Sequence, residues 1–207
     1  MRCLLFVDIE TTRLDQSTDR ITQLRAKLVT PTGEELQSWS VSPAKEPPFR
    51  NSRPGEKVAT AIMTPISSET LVLGELARII DRCDLIIGHD IQHTLSVVMA
   101  AAARCGYDQL IAQLTPPHFG FDLGRRAAIC TRQLATELLT HSNLPADRPR
   151  TDLAALHRRF TRFQMPDPKL MDPSARLQAC HWLYRYTQNF QRTHNLYFQT
   201  DILCMEE

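Results

Sequence analysis

No two of the six cysteines, at positions 3, 83, 105, 130, 180 and 204, stand in a C-x-x-C pair. That removes the usual ligand spacing of a zinc knuckle. Cys3, Cys83 and Cys130 lie in apolar or strand-like stretches and read as small core residues. A reducing, intracellular, cytoplasmic setting is expected from this usage. No run is apolar and long enough to span a membrane. The apolar stretch Cys3–Val7 near the N-terminus is interrupted by Asp8, so no secretory signal is expected. Internal repeats and low-complexity segments are lacking as well.

A large net charge is also missing: the formal value is +1, which excludes an obvious whole-molecule polyanion binder. Lysine is scarce, with 4 residues against 20 Arg. Arginine forks suit phosphate better than lysine does, although the composition of the source genome would give the same bias. The charge is uneven. Residues 1–117 carry 12 basic and 14 acidic side chains, residues 118–162 carry 8 and 4, and residues 163–207 carry 4 and 5. The middle block therefore offers a local basic face.

What is present is an ordinary globular composition, 43% hydrophobic and 23% charged over 207 residues. That suits one domain with a proper core, placed at 1–190, followed by a C-terminal tail at 191–207. Cys3–Ile9, Ile21–Val29 and Leu36–Val41 read as three strands in an antiparallel meander, with a turn at Thr30–Gly33. Residues 43–58 hold four prolines and read as a loop. A helix is expected from Ser67 or Ser68 to about Arg82, then a short strand Leu85–Gly88. Asp90 stands where an N-cap would, ahead of a helix over Ile91–Cys105. Ala127–Thr131 reads as a fifth strand that leads into a helix to about Leu139. After a loop at 141–150, Asp152–Phe160 and Ala175–Phe190 read as helices. Strands first, then helix and strand in alternation, predicts an α/β mixed five-stranded sheet flanked by helices.

The most informative string is Phe6-Val7-Asp8-Ile9-Glu10-Thr11-Thr12. An apolar strand ends in two carboxylates spaced i, i+2, which a regular strand points to one side. Two like charges there repel, and a divalent cation between them removes that cost. Thr11 and Thr12 add hydroxyls and backbone amides for a phosphate or sugar. A plain reading, a solvated strand end with a capped turn, stands beside this one.

The chain resembles the DnaQ-like 3′–5′ exonucleases of the DEDD group. Their first motif, D-x-E-T-T-G-L at the end of the first strand, is matched by Asp8, Glu10, Thr11, Thr12 and Leu14, with Arg13 at the glycine. Weaker similarity runs through Asp84–Asp90, Thr131–Ala135 and Leu153–Phe160, and residues 61–66 stand where the family carries its H-G-I-T loop. The resemblance implies a ribonuclease H-like fold, strands 1–3 antiparallel and strands 4 and 5 parallel to strand 1. It also implies four carboxylates that hold two metal ions, Mg or Mn, for hydrolysis of a nucleic-acid strand.

That set is incomplete. The second motif, H-N-x-x-F-D, reads His89-Asp90-Ile91-Gln92-His93-Thr94, so Thr94 falls on the metal-binding Asp. Asp90, one helical turn away, is either a shifted ligand or a plain helix cap. No His has an Asp five residues later. The register of the last helix puts Pro173 and Gln178 at that pair. Tyr197…Asp201 is a variant of it, but close to the C-terminus. Asp8 and Glu10 remain as metal ligands, with Asp90 as a third catalytic candidate. Thr11, Thr12, Leu14, Arg125, Arg126, Arg158 and Arg159 are nucleic-acid contacts, with Arg132 and Arg162 as further phosphate candidates. His181 reads as a half-buried helix residue.

Three functions remain open at this point. One is a degenerate domain that binds single-stranded nucleic acid or a protein partner, such as a polymerase or nuclease complex, with little or no turnover. Another is an active exonuclease with relocated ligands, drawing on Asp90 and on Asp172 or Asp201. The last is a protein–protein scaffold. Weak binding of one Mg²⁺ or Mn²⁺, or none, is expected.

Overall fold

The computed structural model describes residues 3–12, 20–41, 68–115, 127–141, 152–161 and 173–194. The loop expected at 43–58, the segment 61–66, and Leu14, Arg125, Arg126, Arg162, Asp172, Tyr197 and Asp201 lie outside these residues.

The apolar run after Cys3 forms β1 (Leu4–Thr11), the centre of the sheet. Its side chains alternate between two cores. Leu5 and Val7 enter one, Leu4 and Phe6 the other. A strand covered on both faces has to be apolar at successive positions, as this one is. β2 (Ile21–Val29) pairs antiparallel with β1, with a register irregularity at Glu10/Thr11. β3 (Glu35–Val41) pairs antiparallel with β2 and forms a mostly exposed edge. β4 (Leu85–Gly88) runs parallel to β1, and β5 (Ala127–Cys130) parallel to β4. The order is β3-β2-β1-β4-β5, the mixed five-stranded sheet the sequence predicted.

Helices cover both faces. α1 (Ser68–Ile80), α2 (Ile91–Cys105) and α3 (Asp108–Leu114) bury Leu73, Leu76, Val98, Leu110 and Leu114 against one face. α4 (Thr131–His141) and α6 (Pro173–His194) bury Leu134, Leu177, Cys180 and Tyr184 against the other. α5 (Leu153–Thr161) closes a third cluster with Leu139, Leu156 and Leu183. Each fully buried Leu or Ile contributes roughly 1.5–3 kcal/mol over an exposed one.

Several boundaries differ from expectation. β1 runs two residues past Ile9, so Glu10 is a strand residue. α1 stops at Ile80 rather than Arg82. Thr131 opens α4 instead of closing β5, and α6 extends on both sides of Ala175–Phe190. α3 was not expected. It exists because Gly106, at φ +65°, ends α2 in the left-handed conformation, after which Leu110 and Leu114 bury again in the first core.

Candidate functional site

The alternation that sends Leu4 and Phe6 toward α6 also sends Asp8 and Glu10 that way at the C-terminal end of β1. They meet Arg176, in the first turn of α6. Its Nε and Nη2 donate to Asp8 Oδ2 at 3.0 and 2.9 Å, and Nη2 donates to Glu10 Oε1 at 2.7 Å. The side chains are 30%, 38% and 22% exposed for Asp8, Glu10 and Arg176, so the pairing is partly desolvated. Burial pushes the Asp8 carboxyl above its ordinary value, against the pull of Arg176. Arg176 is itself driven further toward its charged form, because the attraction of Asp8 and Glu10 outweighs its own burial. The same-side placement expected of Asp8 and Glu10 is found. The cation that bridges them is a guanidinium.

The second-motif residues follow β4. Gly88 permits the close approach there: a Cβ on it would lie 2.9 Å from Ile91 Cδ1 and 3.3 Å from the Val7 carbonyl oxygen. Asp90 stands at the N-cap of α2, but its side chain makes no cap bond. It accepts from Arg132 Nη2 at 3.0 Å, with both side chains close to half exposed. The plain cap reading of Asp90 is therefore corrected. Its carboxylate pairs with Arg132, in the first turn of α4, and not with the helix amides. Thr94 is buried, 8% exposed, with its backbone N–H donating to the Asp90 carbonyl. His89 Nδ1 lies 3.2 Å from Thr131 Oγ1, and the Cys130 thiol donates to the His89 carbonyl. Cys180, fully buried nearby, has its thiol pushed up to about 12 by desolvation and is a packing group.

These residues border a cleft of about 490 Å³ at the ends of β1 and β4, lined by Asp8, Thr11, His89, Asp90, His93, Thr94, Arg132, Asp152 and Arg176. Ligand sites in open α/β sheets sit at such strand ends. Thr12 Oγ1 accepts from the Arg20 amide and helps close the β1–β2 pair, while Thr11 stays on the cleft wall. Asp152 Oδ1 caps α5 by accepting from the Ala155 amide. Arg158 and Arg159 are exposed in the last turn of α5. Gln178 turns away from the cleft. It accepts from Lys27 Nζ at 2.8 Å and borders a second groove, of about 560 Å³, between β2–β3 and α6. His181 is more buried than expected, its ring 4.6 Å from that of Phe6.

Sequence reasoning missed Arg176. It stands between Pro173 and Gln178, the two positions assigned to the third motif, yet 168 residues separate it from Asp8, and no local pattern joins them.

The architecture matches solved structures closely enough to place it. The zinc-bound E. coli exonuclease I–ssDNA complex superposes with a TM-score of 0.63 at 16% identity, covering 93% of this chain and 41% of that one. Exonuclease I with a dT13 oligonucleotide gives 0.64 at 16%, covering 94% and 43%. The chain has the fold of exonuclease I. Its complex with the SSB C-terminus matches at a TM-score of 0.57 and 16% identity. This chain spans less than half the length of those exonuclease I chains. No family model and no curated protein matches the sequence. Likeness at this identity carries the ribonuclease H-like fold alone.

The described residues by themselves do not make up a two-metal centre. Among the described residues, no group of three or more His, Cys, Asp or Glu side chains converges on one point. Asp8 and Glu10 share a guanidinium, Asp90 has another, and Thr94 offers one neutral oxygen. A hard divalent ion asks for about six oxygen ligands.

Proposed function

We propose that this chain is a degenerate exonuclease-like domain that engages single-stranded nucleic acid with little or no hydrolysis. One observation carries the reading: Asp8, Glu10 and Asp90, the three catalytic candidates, are each bound by an arginine of the chain itself. Two-metal catalysis needs unencumbered carboxylates to hold cations that generate hydroxide and stabilise the charge developing on phosphate. A guanidinium supplies positive charge but has neither an open coordination position nor a bound water to ionise. Relocation of a ligand to Asp90 is disfavoured by the same fact, since Arg132 already neutralises it.

Among the described residues the cleft is not a basic channel: Asp8, Asp90 and Asp152 on its wall outnumber Arg132 and Arg176. Phosphate contacts are therefore assigned outside it, to Arg158 and Arg159 on α5, whose first turn borders the cleft; Arg125 and Arg126, the other candidates, lie outside the described residues. Thr11, Thr12 and Leu14 would face the terminal nucleotide. The domain is proposed to span 1–190, with 191–207 as a tail. Any Mg²⁺ or Mn²⁺ would be weakly held, and the protein works inside the cell.

A fluorescently labelled single strand tests this in one tube. Anisotropy should report binding that falls steeply with salt, because phosphate contacts release counterions. A denaturing gel of the same samples should show intact strand with Mg²⁺ and with Mn²⁺. Cleavage that disappears in Asp8→Ala would establish the active-enzyme reading instead. Absence of binding at low salt would leave a protein–protein scaffold as the better account.

A further inference from the structure

We infer that Arg176 is the resident cation of this site: it stands in for the metal and shuts divalent ions out of a carboxylate pair that is otherwise competent to bind one. The inference deepens the proposed function and rests on it. Asp8 and Glu10 are neighbours on one side of β1 and together carry two negative charges. Arg176 reaches both with three hydrogen bonds of 2.7–3.0 Å. The bidentate contact of Nε and Nη2 with one carboxylate oxygen, shared onward to Glu10, belongs to a planar fork rather than a point charge.

Competition decides occupancy. An ion from solution has to displace a group tethered on a packed helix. Leu177, the next residue, and Cys180, one turn on, are buried in the sheet core, so the Arg176 backbone is fixed. Even a flexible tether gives an effective concentration on the order of millimolar, and a rigid one matched to the distance gives more. Mg²⁺ also sheds its waters reluctantly, and Thr94 offers no charge in return. Asp8, Glu10 and Arg176 sum to one net negative charge, and Arg25, opposite Asp8 on β2, also attracts its carboxylate. Without Arg176 the two carboxylates lose the cation that bridges them, and the added negative charge favours a divalent ion.

The experiment uses the full chain and Mn²⁺ as the probe, with bound and free ion read by electron paramagnetic resonance. Wild type should leave Mn²⁺ free at concentrations where Arg176→Met takes up one equivalent. The apparent affinity should rise roughly tenfold or more, as expected for removing a unit charge a few ångströms away. Adding Asp8→Asn to Arg176→Met should abolish the gain. A folded Arg176→Met that binds no more Mn²⁺ than wild type overturns the inference. Should Arg176→Met fail to fold, wild type decides alone. The Arg176 Nε–H resonance should survive stoichiometric Mn²⁺ unbroadened, and selective broadening of it would place the ion among these residues and end the idea. The two readings separate cleanly. An inert wild type with a metal-free Arg176→Met sinks only the resident-cation inference. A wild type that cleaves equally well as Asp8→Asn sinks only the proposed function.

Discussion

Two buried or half-buried carboxylates illustrate how single residues set the pH response. Glu69 lies at the start of α1, and its side chain is 7% exposed. It accepts from the Ile21 amide at 3.0 Å, from Arg20 at 3.1 Å and from Arg104 at 3.0 Å. Burial alone would raise its pKa, but the amide and the two guanidiniums outweigh it and hold the carboxyl below its ordinary value. A depressed carboxyl adds stability that is present above the unfolded pKa and lost as pH falls through the folded one. Glu69→Gln should therefore cost about 2 kcal/mol at neutral pH, the scale of hydrogen bonds to a charged group. The gap to wild type should close in acid. Urea denaturation at a series of pH values checks this, and a gap independent of pH would refute it. Asp8 has the opposite sign. Its raised carboxyl disfavours the folded state as pH climbs from the unfolded value through the folded one, so the two contributions partly cancel in acid.

Elements with a strong local signal were placed well, and the exceptions have identifiable causes. Ile21–Val29, Leu85–Gly88 and Ile91–Cys105 fall where the pattern put them. Ile21–Val29 alternates, Ile91–Cys105 keeps a helical period between Asp90 and Gly106, and the apolar run Leu85–Gly88 follows Asp84 and ends on glycine. Thr131 resisted the same treatment. A β-branched residue after Ala-Ile-Cys suits a strand, yet its hydroxyl lies against the Gly88 carbonyl and His89, and the chain turns into α4 there. α3 was lost because seven residues carry too little periodicity to read. Gly106 is the hinge of that region, with φ +65° and its amide donating to Ala103 and Ala102 carbonyls. Gly106→Ala should cost about 1 kcal/mol, since only glycine enters the left-handed region freely. Nothing crowds its Cβ position, so the loss would be conformational rather than steric. An unchanged unfolding midpoint would contradict this account of the α2–α3 corner.

At the scale of the whole molecule, net charge and charge placement part company. A formal charge of +1 promises little for a polyanion. The described arginines also differ in availability: Arg132 and Arg176 are engaged with carboxylates, whereas Arg158 and Arg159 are exposed on α5. If the last two contact a strand, replacing both with Ala should flatten the dependence of log affinity on log salt. About 0.7 of slope is expected per phosphate contact on a single strand, so the change should be about 1.4. Arg132→Ala should leave the slope nearly unaltered. Anisotropy titrations between low and physiological salt measure both. Equal slopes for wild type and the Arg158/Arg159 variant would move the binding face elsewhere.

By itself the sequence determined a mixed sheet of five strands, its first three in an antiparallel meander, and the placement of Asp8 and Glu10 on one side of the first strand. These follow from strand periodicity and the succession of elements; the family resemblance added strands 4 and 5 parallel to strand 1, and the structure supplied the order β3-β2-β1-β4-β5. It also placed Thr94 where the resembled family motif carries an Asp, because a change of charge is legible wherever a motif can be aligned. The tertiary structure alone decided what neutralises the carboxylates. Arg176 is one arginine among 20, and nothing in its neighbourhood along the chain sets it apart. It reaches Asp8 and Glu10 because Leu177, Cys180 and Tyr184 bury α6 against β1, which brings its first turn over the strand end. Packing fixes that contact over a separation of 168 residues, and electrostatics then closes the pair.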